Sequence, residues 1–241
     1  ESNGQLTIDG ATGSLLSTIR AQRIAWHGPD MDVEAIEIVM TWTPLDLVSR
    51  RFHVQGLGAQ RLAMHFKGGS KQASGLPASL ALPLEVSVSN IGVQRLEWQT
   101  GESSGVVTGV TFDYAGGSRE HAVRRLRLVS DYGTLTGDAR LAADAPYALA
   151  GTLAVVGDGP YRDGRATLQV EGTMERFALV ADGTLHAAQG TVKATLTPFA
   201  NPPLVSADVD ARDVDLAQFA SALPATALTV NLTARPAGAG F

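Results

Sequence analysis

Gly101-Glu102-Ser103-Ser104-Gly105 has the G-x-S-x-G spacing of a nucleophile elbow, in which a serine is presented on a sharp strand-to-helix turn. That chemistry needs a strand before the turn and a helix after it. Residues 93–99 read as the strand. Val106-Val107-Thr108-Gly109-Val110-Thr111, however, is β-branched and alternating. The pattern predicts a hairpin with Ser103 in its turn, and no catalytic residue.

The five histidines, His27, His53, His65, His121 and His186, form no i, i+4 pair and no compact cluster. They read as scattered, solvent-facing strand positions. Cysteine is absent, which removes disulfides, thiolate metal ligands and cysteine nucleophiles. Asp208, Asp210, Asp213 and Asp215 imitate a calcium loop, but Arg212 and Asp213 stand where the pattern requires a ligand and the glycine. Asp208 and Asp210 alternate with Val209 and Ala211, so they belong on the wet face of a strand. Asp213 or Asp215 is placed to cap a short helix.

Arg119, Arg124, Arg125 and Arg127 are the densest basic stretch. Simple alternation puts Arg125 and Arg127 on one face and Arg124 with Leu126. A lipid phosphate could use such residues, but a solvated edge that blocks aberrant pairing is the commoner role. Lys67-Gly68-Gly69-Ser70-Lys71 and residues 157–164 are glycine-rich without P-loop spacing, and both read as turns. No metal or other cofactor is expected, and no enzyme.

The elements that would position any site are strands. Of 241 residues, 44% are hydrophobic and only 18% charged, with a net charge of −5. The chain can bury a core, its surface carries fewer charges than usual, and nothing favours nucleic acid. No apolar run reaches the roughly 20 residues of a membrane helix. The start, Glu1-Ser2-Asn3-Gly4, lacks Met, and we read the chain as a fragment of a longer protein.

Period-2 alternation dominates. It is clear in Ile36, Ile38, Met40, Trp42, in Leu62, Met64, Phe66, and in Leu84, Val86, Val88. It continues in Val106, Val110, Phe112, Tyr114, in Leu126, Leu128, and over 147–156, 165–171, 177–181, 191–196 and 204–210. Between Val88 and Trp98 the apolar phase slips twice, which predicts a bulge or break near Asn90. Helical spacing is confined to Pro44–Ser49 and 216–223, each about two turns and too short to stand without packing. Both interrupt a strand run, a weak internal echo. No linker or composition break divides the chain, so one continuous domain over 1–241 is expected. Each strand has one apolar face and there are no helices to cover it. Either two sheets close on each other, or one sheet curls around a trough for an apolar ligand.

Four stretches carry a resemblance: residues 7–64 with Trp42-Thr43-Pro44-Leu45-Asp46-Leu47, residues 82–98, residues 139–157 with Pro146-Tyr147-Ala148-Leu149-Ala150-Gly151, and residues 214–234 with Val214-Asp215-Leu216 and Leu223-Pro224-Ala225-Thr226. In this order they resemble the TamB family, the inner-membrane subunit of the Gram-negative translocation and assembly module, within the AsmA-like group of bridge-type lipid transfer proteins. The resemblance covers most of the chain and matches the N-terminal periplasmic part of the family. It implies an all-β fold, a long, strongly curved, antiparallel-rich sheet folded as a β-taco with an apolar groove and one or two short helices. It implies a periplasmic location, tethered by an inner-membrane anchor that this chain lacks. It also implies carriage of phospholipid toward the outer membrane in outer-membrane biogenesis. A barrel partner in the outer membrane is implied for the full-length family, not necessarily for this piece.

From the alternation, the expected groove-lining residues are Ile36, Ile38, Met40, Trp42, Leu62, Met64, Phe66, Leu84, Val86, Val88, Trp98, Val110, Phe112, Leu126 and Leu128. Leu149, Leu153, Leu168, Val170, Leu196, Val230 and Leu232 extend the set in the later strands. They would hold acyl chains without directional contacts. The alternative function is a chaperone or scaffold for outer-membrane proteins that pairs with strands along an open sheet edge.

Overall fold

The computed structural model describes residues 5–14, 16–67, 78–101, 103–200, 203–218 and 224–236. Strands make up 71% of the described residues and helical turns 6%, so among them no helical layer covers a sheet. The chain divides into two compact units, 1–131 and 132–241, at a point where composition shows no break.

The first unit holds β1 (Gln5–Asp9), β2 (Thr12–Gly13), β3 (Thr18–His27), β4 (Met31–Trp42), β5 (Arg51–Phe66), β6 (Glu85–Thr100), β7 (Ser103–Val107), β8 (Gly109–Gly116) and β9 (Glu120–Ser130). Their spatial order is β1-β3-β4-β5-β6-β8-β9, with β2 on β3 and β7 on β6. Every pairing is antiparallel except β5 with β6. The second unit is an up-and-down meander of β10 (Gly133–Ala142), β11 (Ala148–Gly157), β12 (Arg165–Thr173), β13 (Phe177–Leu185), β14 (Ala188–Leu196), β15 (Leu204–Val214) and β16 (Leu228–Ala234). The sheet is curved, unclosed and mostly antiparallel in both units, as an all-β chain with few helices requires.

β6 and β7 pair antiparallel, as the hairpin reading expects. Thr100 pairs with Ser103, and Gly101 takes φ +58°, which glycine adopts without strain. The short helix expected at Pro44–Ser49 is a 3₁₀ turn with Pro44 in its first turn and left-handed Arg50 closing it. The second begins as a 3₁₀ turn, Leu216–Gln218. The remainder of the expected 216–223 helix, including Phe219, lies outside the described residues, as do residues 68–71 of the glycine-rich turn after Lys67.

The bulge expected near Asn90 is present. The β6–β8 register shifts between Val88 and Ile91, and Asn90 has φ +52°. A second bulge falls in β9, where Arg125 has φ +52°. It overturns simple alternation there. Arg124 pairs with Asp113 and Arg127 with Thr111, so these two share a face, while Leu126 and Leu128 take the other.

Candidate functional site

Residues opposite each other in a ladder share a face, so register sorts every strand residue. In the second unit the sorting is clean. Leu153, Leu168, Ala181, Val192, Val209 and Leu232 run as one row across six strands. Parallel rows on the same face hold Val155, Ala166, Gly183, Gly190, Ala211 and Val230, then Val170, Leu179 and Ala194, then Leu149, Phe177 and Leu196. All seven lining residues expected in this unit fall on this one face. The opposite face is polar: Thr167, Asp182, Thr191, Asp210 and Asn231 form one row, and Arg165, Thr184, Gln189 and Arg212 another.

The apolar face spans seven strands, about 29 Å at ~4.8 Å per strand. Most of its large side chains are half-buried, with Val155 and the edge residue Leu232 exposed. Only Ala143 and Tyr147 are buried apolar residues among those described in this unit, so the face is not sealed beneath another layer. It is shallow. A groove of about 670 Å³ in the same unit is lined by Thr167, Asp182, Asp210 and Arg212 of the polar rows and also touches Val155, Ala166 and Ala211 of the adjoining apolar row.

In the first unit the expected lining residues split. Ile36 and Ile38 pair with Arg23 and Ala21, and Met40 with Leu57; Leu57 pairs with Ile91, and Ile91 with Phe112. Trp42 pairs with Val54, Val54 with Val88, Val86 with Phe52, and Val110 with Leu128. These residues, with Leu126, form one apolar patch across β4, β5, β6, β8 and β9. Ile38, Val54 and Val110 are its buried centre. The bulge at Asn90 keeps Val86 and Val88 on the same face as Ile91 and Val93. Without it the strand would turn half of its apolar residues away. Leu84 precedes β6 in a bend and joins no ladder.

Leu62, Met64, Phe66 and Trp98 lie on the opposite face. Ile36 pairs with Arg61, so the adjacent Leu62 points the other way, and Met64 pairs with Trp98. They form a second patch with Trp26, Val33, Leu96 and Val107. The Trp98 indole lies over Gly105, where a Cβ would come within 2.1 Å of the ring. The expectation of a single lining set failed here because β5 and β6, 16 residues each, change their apolar face halfway. The second slip, at Leu96, is this change of face and not a bulge.

Behind the second patch runs an ion-pair ladder across β1, β3, β4, β5 and β6. Arg23 Nε donates to Glu34 Oε1 at 2.5 Å and Nη1 reaches Asp9 Oδ2 at 3.5 Å. Arg61 Nε donates to Glu97 Oε2 at 2.9 Å, and Arg95 Nε to Glu97 Oε1 at 2.5 Å. Arg61 first and Arg95 second hold the Glu97 carboxyl below its ordinary range. Nothing in the sequence periodicity announced this ladder, because its members belong to five strands.

Comparison with known proteins identifies no relative. No family model, no curated protein and no solved structure matches the chain.

The histidines are more engaged than scattered surface positions. His121 bridges Tyr114 Oη, at 2.7 Å from Nδ1, and the Leu80 carbonyl, at 2.9 Å from Nε2. His53 Nδ1 lies 2.8 Å from Ser87 Oγ. Burial raises the Tyr114 pKa. Asp208 and Asp210 are on the polar face as expected, and Asp215 is the capping aspartate: Ala217 N–H donates to its Oδ1 at 3.1 Å.

Proposed function

We propose that the apolar face of the second unit and the first apolar patch of the first unit carry the acyl chains of phospholipid, and that this chain is a periplasmic segment of a TamB-like bridge between inner and outer membrane. One observation supports the reading best: the second unit presents an apolar face seven strands wide with no helix packed over it among the described residues, and its polar residues are sorted to the other side. An apolar surface of this extent marks a site for an apolar ligand or partner. Burying a methylene completely contributes about 0.8 kcal/mol. A face of half-buried side chains buries each only in part, so it would hold chains along its length without a deep trap, which suits movement more than storage. No catalytic group is needed for this role.

Extraction of lipid from the purified chain, followed by native mass spectrometry, tests the reading. Bound phospholipid is the expected result. A lipid-free chain that also fails to take up phospholipid delivered from cyclodextrin contradicts it.

The scaffold reading is favoured by one observation of its own. Strand β16, Leu-Thr-Val-Asn-Leu-Thr-Ala, carries no charge and no proline, and among the described residues only β15 pairs with it. Such an unguarded edge accepts an added strand.

A further inference from the structure

We infer that the end of the first unit where β3 begins and β4 ends docks on a lipid bilayer, with Leu16, Leu45, Leu47 and Val48 as the inserted side chains. The inference rests on the lipid-carrier reading and deepens it by naming where the apolar patch meets its lipid source.

The four residues come from two neighbouring loops. Thr18 pairs with Thr41, and Trp42 N–H donates to the Ser17 carbonyl at 3.0 Å, so the loop holding Leu16 and the 3₁₀ turn Pro44–Ser49 leave the sheet side by side. Leu16 is 76% exposed, Leu45 78%, Leu47 42% and Val48 86%. The feature is therefore a projection, not a groove. A protein partner would need a fitted socket for it, whereas a bilayer accepts projecting aliphatic side chains without one.

The projection is also rigidly held. Pro44 fixes the first turn, and Arg50 N–H bonds the Leu47 carbonyl at 3.0 Å. Gln55 Nε2 donates to Thr43 Oγ1 at 2.8 Å. Presenting four apolar side chains on a preorganised turn reduces the entropy lost on insertion. Arg50, Arg51 and Arg119 are exposed at the same end, where they could pair with headgroup phosphate. Asp46, Glu85 and Glu120 share this end, so its net charge is balanced and apolar insertion must drive the contact.

The first apolar patch reaches the same end through Trp42 and Phe52, whose rings lie 5.4 Å apart. The Trp42 indole N–H is buried and without a partner among the described residues. A buried indole donor normally finds an acceptor.

Flotation of the purified chain with phosphatidylcholine vesicles, with and without phosphatidylglycerol, tests the docking. We expect binding to both compositions with little dependence on salt. The double substitution Leu45→Asp/Val48→Asp should lower the vesicle-bound fraction about tenfold or more, since it replaces apolar transfer by transfer of charge. Both positions are exposed, so circular dichroism should be unchanged. Thr167→Asp, exposed on the polar face of the second unit, should leave flotation intact. A wild-type chain that does not float, or a double variant that floats equally well, overturns the docking. A tip-dependent dimer in sedimentation without flotation overturns it too. Lipid uptake from cyclodextrin is measured alongside. Tip-dependent flotation without uptake supports the docking and contradicts the carrier reading, and tip-dependent flotation with uptake supports both.

Discussion

Asn90 N–H donates to Asp113 Oδ1 at 3.0 Å, and the same carboxylate receives Arg125 Nε through its Oδ2 at 2.5 Å. Asp113, on β8, thus stands between the bulge of β6 and the bulge of β9, both built on a residue at φ +52°. These two bulges keep Val86, Val88, Ile91 and Val93, and Leu126 and Leu128, on one apolar face. Asp113 is the latch that makes the first patch continuous.

Asp113→Asn tests the latch and carries a pH signature. The Asn90 backbone bond, with Arg125 second among the favourable contacts, holds the Asp113 pKa below its ordinary value near 3.8. A carboxyl depressed on folding stabilises fully above the unfolded value, and that stability is lost as pH falls through the folded one. The variant should therefore be less stable at neutral pH. The difference from wild type should shrink as pH falls below 4. Urea titrations at pH 7 and pH 3 measure it, and a difference that grows in acid would contradict the assignment.

Thr226 and Asp215 clasp the ends of the insertion between β15 and β16. Thr226 N–H donates to Asp215 Oδ1 at 2.9 Å, Leu216 N–H to Thr226 Oγ1 at 2.9 Å, and Thr226 Oγ1 to the Val214 carbonyl at 3.0 Å. Thr226→Val removes two of these bonds and should cost about 1–2 kcal/mol in chemical denaturation. Lipid uptake should be unchanged, because the clasp shapes the insertion and not the apolar face.

The two faces of the first unit should respond differently to charge. Met40 lies on the first patch, Met64 on the second. Met40→Asp should reduce lipid uptake from cyclodextrin several-fold, and Met64→Asp should not. Both are half-buried, so each variant's folding is checked by circular dichroism before uptake is compared. Equal losses would mean that lipid does not distinguish the faces.

Glu97 anchors the ladder through Arg61 and Arg95. Its side chain is 24% exposed, and partly exposed ion pairs contribute little individually. Glu97→Gln should lower stability by about 1 kcal/mol or less, with the effect reduced at high salt. A larger loss, insensitive to salt, would indicate that the carboxylate does more than pair with the two arginines.

Regular strands were the legible part of the sequence. In the second unit no strand from β10 to β14 changes phase, so period-2 reading placed Leu149, Leu153, Leu168 and Val170 on a common face without error. The Asn90 bulge was legible because Val88 and Ile91 are three apart where alternation demands an even spacing. The Arg125 bulge was missed, since arginines flank it on both sides and no apolar phase marks the slip. The split of Leu62 and Trp98 from Ile38 was missed for a different reason. Alternation gives the period within a strand, but which face is shared by two strands depends on register, and register is a pairing between segments far apart in sequence. The same nonlocality hid the ladder from Asp9 to Glu97 and the clasp from Asp215 to Thr226.

The central claim is that acyl chains lie on the apolar face of the second unit and not along the polar rows of its opposite face. Photo-crosslinking with a phospholipid bearing a diazirine in its acyl chain, followed by peptide mapping, measures this directly. Adducts are expected on residues such as Leu153, Leu168, Val170 and Val192. Adducts concentrated on Thr167, Asp182, Thr191 and Asp210, or spread evenly over both faces, would contradict it.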